Sequence, residues 1–143
     1  MKKLLGIVVI SFMLTGIARA FIFGSKDIIL FNECYDLPKY NNYKTYKNST
    51  DNSFDEWSVE INLKKNTVTR TVIWTDKFIA ALQSRGTNLR KIEIETFPII
   101  SSNSRFVGAQ VGEWEFTFDI KNKTIQTFHT KYKSIGNKKC SID

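Results

Sequence analysis

The sequence predicts an all-β fold with one short helix, an antiparallel meander of about seven strands forming a small barrel, half-barrel or sandwich. Three observations point there. Segments in which apolar and polar residues alternate with period two recur between residues 27 and 132. Short turns rich in Lys, Asn, Gly and Ser separate them. A single stretch has the composition of a helix, and no strand–helix–strand rhythm is present, which argues against a parallel sheet.

Ahead of the first strand stands a leader pattern. Lys2 and Lys3 form a basic start, residues 4–17 are apolar, and Ala18-Arg19-Ala20 gives the small-x-small pattern that a signal peptidase reads. Residues 1–20 are therefore expected to be a signal peptide, cut between Ala20 and Phe21. The apolar run falls short of the about 20 residues a membrane helix needs. The competing reading is a retained anchor prolonged by Phe21-Ile22-Phe23, but Arg19 inside the segment is costly to bury. No stable membrane span is expected after cleavage. The chain is expected to be exported, to the periplasm or beyond the cell, and its Lys-, Asn- and Ile-rich composition is that of an AT-rich bacterium.

The remaining residues, 21–143, suit a single β-rich domain. Without Lys2, Lys3 and Arg19 the chain keeps 18 basic and 14 acidic residues, a net charge of +4 spread along its length. That is ordinary solubility charge, so no nucleic-acid partner is expected. Cys34 and Cys140 both follow the leader, and pairing is their default in an oxidising compartment.

Residues 27–35 (DIILFNECY) read as the first strand. Residues 36–56, rich in Asn and Ser, read as a long loop. In the next strand Trp57, Val59, Ile61 and Leu63 alternate with polar residues. Lys65-Asn66 makes a turn, because Asn tolerates the left-handed region a tight hairpin needs. The return strand has Val68, Val72 and Trp74 on one face. Arg70 interrupts that face, which implies an open end or a bulge. Phe78 to Leu82 form the helix, with Thr75 or Asp76 as its cap and Gly86 as its stop.

Alternation resumes at Leu89, with Ile92 and Ile94 expected inward and Lys91, Glu93 and Glu95 outward. Pro98 is expected to end this strand or confine it to an edge. After a Ser/Asn turn comes a strand over residues 105–111. The next is expected to bury Trp114, Phe116, Phe118 and Ile120 before a Lys121-Asn122-Lys123 turn and a return over 124–132. The tail, 133–143, is polar and basic and reads as anchored only through Cys140.

Two segments echo each other at an offset of 57 residues: WSVEINLKKNTVTRT from Trp57 and WEFTFDIKNKTIQTF from Trp114. Alternation, a Lys/Asn turn and a β-branched restart are what any half-buried hairpin selects, so the echo reads as convergence more than duplication.

Few residues offer chemistry. His129 is the sole histidine, and as a general base it would require an orienting carboxylate and a nucleophile. The pairs Glu93/Glu95 and Glu113/Glu115 read as an outer sheet face opposed by lysines. There is no phosphate loop, CxxC, HExxH or GxSxG pattern, so no metal, cofactor or catalytic residue is expected. Tyr35, Tyr40, Tyr43 and Tyr46 interleave with Lys39, Lys44 and Lys47, a combination suited to stacking on sugars, on bases or against a protein; the competing reading is a mobile loop whose tyrosines fold back over the barrel end. The expected function is a non-enzymatic binding module for a small or apolar ligand. The alternative is an envelope protein that contacts a partner protein or glycan through Tyr40, Tyr43, Tyr46, Lys39, Lys44 and Lys47.

Overall fold

In the computed structural model, which describes residues 27–142, eight antiparallel strands in consecutive order close into a barrel. They are β1 (Ile28–Leu37), β2 (Phe54–Asn62), β3 (Thr67–Trp74), β4 (Ile92–Ser102), β5 (Phe106–Val111), β6 (Trp114–Asp119), β7 (Thr124–His129) and β8 (Ser134–Ile142). Helix α1 (Tyr43–Lys47) lies between β1 and β2, and α2 (Asp76–Gln83) between β3 and β4. The expected leader and its cleavage site lie outside the described residues.

The meander gives the barrel two distinct ends. One carries the tight turns β2–β3, β4–β5 and β6–β7 together with the start of β1 and the end of β8. This base is packed: Phe31, Ile61, Val68, Val107, Phe118 and Ile125 are fully buried, and the Phe31 and Phe118 rings meet 5.7 Å apart across the lumen. Arg105 forks onto Asp119 there, through Nε at 3.1 Å and Nη2 at 2.7 Å. This holds the Asp119 carboxyl below its ordinary range, reinforced by the Asn122 N–H. The other end, the mouth, carries both helices and the β5–β6 and β7–β8 turns.

Helix α2 starts as the sequence indicates, with Thr75 Oγ1 accepting the Phe78 N–H at 3.3 Å and Gly86 adopting φ +81° after its end. Phe78 stacks on Trp74 at 4.9 Å, which docks the helix over the mouth.

Five expectations change. The polar tail is an eighth strand: β8 pairs with β7 and, closing the barrel, with β1. Its inward positions, Gly136, Lys138 and Cys140, carry no apolar alternation, so barrel closure decides its state. The segment 36–56 is not all loop, because β1 reaches Leu37, β2 begins at Phe54 and α1 intervenes. Asn42 caps α1 by accepting the Thr45 N–H at 2.8 Å. Strand β4 faces the opposite way: Ile92 and Ile94 are exposed, while Phe97 and Ile99 are buried. The register places Glu95 opposite Arg70 and Phe97 opposite Val68, so burying the larger residues at the base commits Glu93 and Glu95 to the lumen side. Pro98 neither ends the strand nor sits on a free edge; it lies at the last position of the β3 pairing, just before a register shift. Trp114 is 40% exposed rather than buried, because it sits at the rim where β6 begins.

Cys34 and Cys140 are bonded, with Cα atoms 4.1 Å apart, inside the seam between the first and last strands.

Candidate functional site

The Tyr/Lys segment divides by residue type. Tyr46 is 1% exposed and Tyr40 is buried with it. The Tyr46 hydroxyl donates to the Phe54 carbonyl, and its ring meets Tyr40 edge-on at 5.0 Å, Tyr43 at 6.0 Å and Phe54 at 5.0 Å. Burial pushes the Tyr46 phenol up beyond its ordinary value and raises that of half-buried Tyr43. Lys39, Lys44 and Lys47 stay exposed. The tyrosines are thus a plug over the β1–β2 side of the mouth, and the lysines are its outer surface.

A second group converges at the mouth. A bulge at Glu33, which adopts φ +50°, shifts the β1 register between Asn32 and Tyr35. Before it Ile29 and Phe31 point inward; after it Cys34 and then Asp36 do. Asp36 pairs with Lys138 of β8, whose ammonium lies 2.5 Å from the carboxylate. The ammonium also sits 4.5 Å from the centroid of the Phe54 ring and 5.0 Å from that of Trp57. The Lys138 side chain is only 13% exposed. Burial lowers the affinity of its amine for a proton, Asp36 opposes that, and the positive charge of Arg70 adds to it.

Arg70 stays on the inner face of β3 without any bulge in that strand. Its Nη2 donates to Glu95 at 2.9 Å, directly across the β3–β4 pair. Its guanidinium lies 5.7 Å from the ring of Phe116, which belongs to β6 and is therefore reached across the lumen. An open cleft of ≈ 410 Å3 at this end is lined by Arg70, Arg90, Ile92, Glu93, Ile94 and Glu95. Trp74 takes the inward position of β3 beyond Val72. Its Nε1–H is buried and has no hydrogen-bond partner among the described residues.

His129 stands at the rim, buried, at the last inward position of β7. Its Nδ1 accepts the Tyr132 N–H at 3.3 Å, its Nε2 lies 3.6 Å from Glu113, and the Trp114 and Tyr132 rings each lie 4.6 Å away. The same turn occurs twice elsewhere. Asn62 accepts the Lys65 N–H at 2.9 Å with Asn66 at φ +57°, and Asp119 accepts the Asn122 N–H at 2.9 Å with Lys123 at φ +57°. At the His129 turn Lys133 takes φ +53°. Three hairpins share one four-residue turn, opened by an acceptor that binds the N–H three residues on. The echoing segments are two of them; the third echoes neither, which favours convergence over duplication.

The converging charges Asp36, Arg70, Glu95 and Lys138 escaped selection as sites from sequence, because each looks like an ordinary strand residue. Arg70, alone on an apolar face, was their one visible signal. Among the described residues no group of three His, Cys, Asp or Glu side chains is placed to hold a metal ion, and no helix is long and apolar enough to cross a membrane. In comparisons with known proteins, no family model matches the chain, no curated protein matches it, and no solved structure matches it.

Proposed function

We propose that the protein is a non-enzymatic binding module that takes a small ligand, part polar and part apolar, at the mouth of its barrel. One observation carries this reading: the inward-facing charges Asp36, Lys138, Arg70 and Glu95 gather at one end only, above the rings of Phe54, Trp57 and Phe116. Burying a charge is costly, and the base demonstrates that this chain fills a lumen with aliphatic and aromatic groups where packing alone is required. Donors are in supply as well. Among the described residues Arg70 and Lys138 each make a single hydrogen bond, and Trp74 Nε1–H makes none. The rings offer an apolar floor of the kind small-molecule sites use, beneath a few convergent polar groups. The ligand would be met in an exported compartment, periplasmic or secreted, a setting that the Cys34–Cys140 bond supports.

Native mass spectrometry of protein purified from its own compartment tests the reading. A mass increment on the wild-type chain that disappears in Arg70→Met is the expected result. Bare mass on the wild-type chain would overturn it.

A second reading makes the Tyr/Lys-rich segment, residues 35–47, the contact surface for an envelope protein or glycan. It is favoured by the three exposed lysines and by half-buried Tyr43, with Tyr40 and Tyr46 as the support beneath them. Replacing Lys39, Lys44 and Lys47 by Ser should then abolish co-purification of the partner with the fold intact. Retained co-purification would remove this reading.

A further inference from the structure

We infer that the rim formed by Trp114, His129, Tyr132 and Glu113 is a saccharide subsite, which makes the ligand of the mouth a neutral polyhydroxylated ring or a short chain of them. This inference rests on the mouth being the binding end and names the class of ligand it takes. Two large aromatic side chains stand exposed there, Trp114 at 40% and Tyr132 at 70%, each packed against the His129 ring. The core of the barrel has no packing use for that much aromatic surface, and a sugar ring presents a face of C–H groups that lies flat on such rings. Polar groups stand beside them. The Glu113 carboxylate is more than half exposed, the His129 Nε2 lies 3.6 Å from it, and the Gln110 amide bonds the Gly112 carbonyl of the same turn at 3.4 Å. A hydroxyl donates to the carboxylate while its oxygen accepts from an N–H, so vicinal hydroxyls satisfy both kinds of group at once.

Charge separates this class from its rivals. Two rings and a carboxylate are also the parts of a quaternary-ammonium cage. Here, however, Lys131 already lies 5.4 Å from the Tyr132 centroid, so an arriving cation meets a like charge at that ring. An anion meets Glu113. A neutral ring with hydroxyls meets neither penalty. Deeper in the mouth the charges come as opposite pairs, Arg70 with Glu95 and Lys138 with Asp36, which likewise suits hydroxyls that donate and accept over a net charge of either sign.

Isothermal titration calorimetry of the intact protein with chitohexaose, cellohexaose and maltohexaose tests the inference, with tetramethylammonium as the rival probe. At least one saccharide should bind. Trp114→Ala and Tyr132→Ala should each weaken it by about tenfold, the size of one lost stacking contact. Both side chains are exposed, and an unchanged circular dichroism spectrum verifies the fold of each variant. Absence of saccharide binding would overturn the inference, as would saccharide affinity unmoved by both substitutions. So would tetramethylammonium binding that Trp114→Ala removes. A co-purified mass increment lost in Arg70→Met, without saccharide binding, would leave the mouth as the binding end and remove only the ligand class.

Discussion

Lys138 and Asp36 face each other across the strand pair that closes the barrel, one step toward the mouth from the Cys34–Cys140 bond. Disulfide and ion pair thus occupy successive inward positions of the same seam, one anchoring the wall and the other facing the lumen.

The depressed proton affinity of Lys138 sets a pH dependence. Its folded-state pKa lies below the ordinary 10.5, so between the two values the unfolded chain holds more protons and stability rises with pH. At pH values below both, the charge is present in both states and its burial weighs fully against folding. Lys138→Met removes this contribution. Chemical denaturation of both proteins from neutral pH towards 10.5 should show wild type gaining on the variant, and a constant difference would contradict the assignment.

Breaking the seam bond should be among the costliest single changes. For a loop of this length, with the cysteines 106 positions apart in sequence, chain-entropy reasoning gives up to about 4.7 kcal/mol, and removing a native disulfide commonly costs about 2–5 kcal/mol. Cys34→Ser with Cys140→Ser should lower the unfolding free energy by that amount, read from chemical denaturation. The lost protection from hydrogen exchange should centre on β1 and β8.

Tyr46 and the lysines around it should behave oppositely. Tyr46→Ala removes a fully buried ring and should cost about 3–5 kcal/mol, whereas Tyr46→Phe loses only the hydroxyl's bond to the Phe54 carbonyl, about 1–2 kcal/mol. Lys39→Ser and Lys44→Ser should stay within about 0.5 kcal/mol of wild type. Thermal denaturation of the four variants ranks them directly.

The shared turn predicts which residue replaces His129. Asn opens the equivalent turn at position 62 and Asp does so at 119, so His129→Asn should keep the acceptor for the Tyr132 N–H and fold with stability within about 1 kcal/mol of wild type. His129→Ala leaves that N–H without its acceptor and should cost about 1 kcal/mol more than His129→Asn. Equal midpoints for Ala and Asn would show that the turn does not depend on the side-chain acceptor.

Strong periodicity made most of the fold legible. Trp57, Val59 and Ile61 face inward as alternation requires, the Thr75 cap and Gly86 stop bracket α2, and the two cysteines meet. Periodicity failed where two faces looked equally apolar. In β4 Ile92 and Ile94 outweigh Glu93 and Glu95 locally, but Phe97 and Ile99 further along fix the parity for the whole strand. It failed again in β8, where Lys138 takes an inward position whose compensation, Asp36, lies 102 residues away. The mouth was hidden for the same reason. Its charges come from β1, β3, β4 and β8, and the bulge at Glu33, which turns Asp36 inward, has no signature in composition. The reading in which the tyrosines fold back over the barrel end holds for Tyr40 and Tyr46, although a Tyr/Lys repeat does not by itself reveal which partner packs and which is solvated.

The direction of the meander also gives the molecule a front and a back. Strand β1 enters and β8 leaves at the packed base, with Phe31 and Ile142 side by side, so both ends of the described chain emerge opposite the mouth. A surface, label or fused domain joined through either end therefore sits behind the barrel and leaves the rim of Trp114 and Tyr132 facing outward. Tethering at Ile28 or at Ile142 should orient the barrel identically. A linker from Ile142 back to Ile28 could likewise be short, moving the chain's ends to a hairpin tip while the strand order around the barrel stays the same.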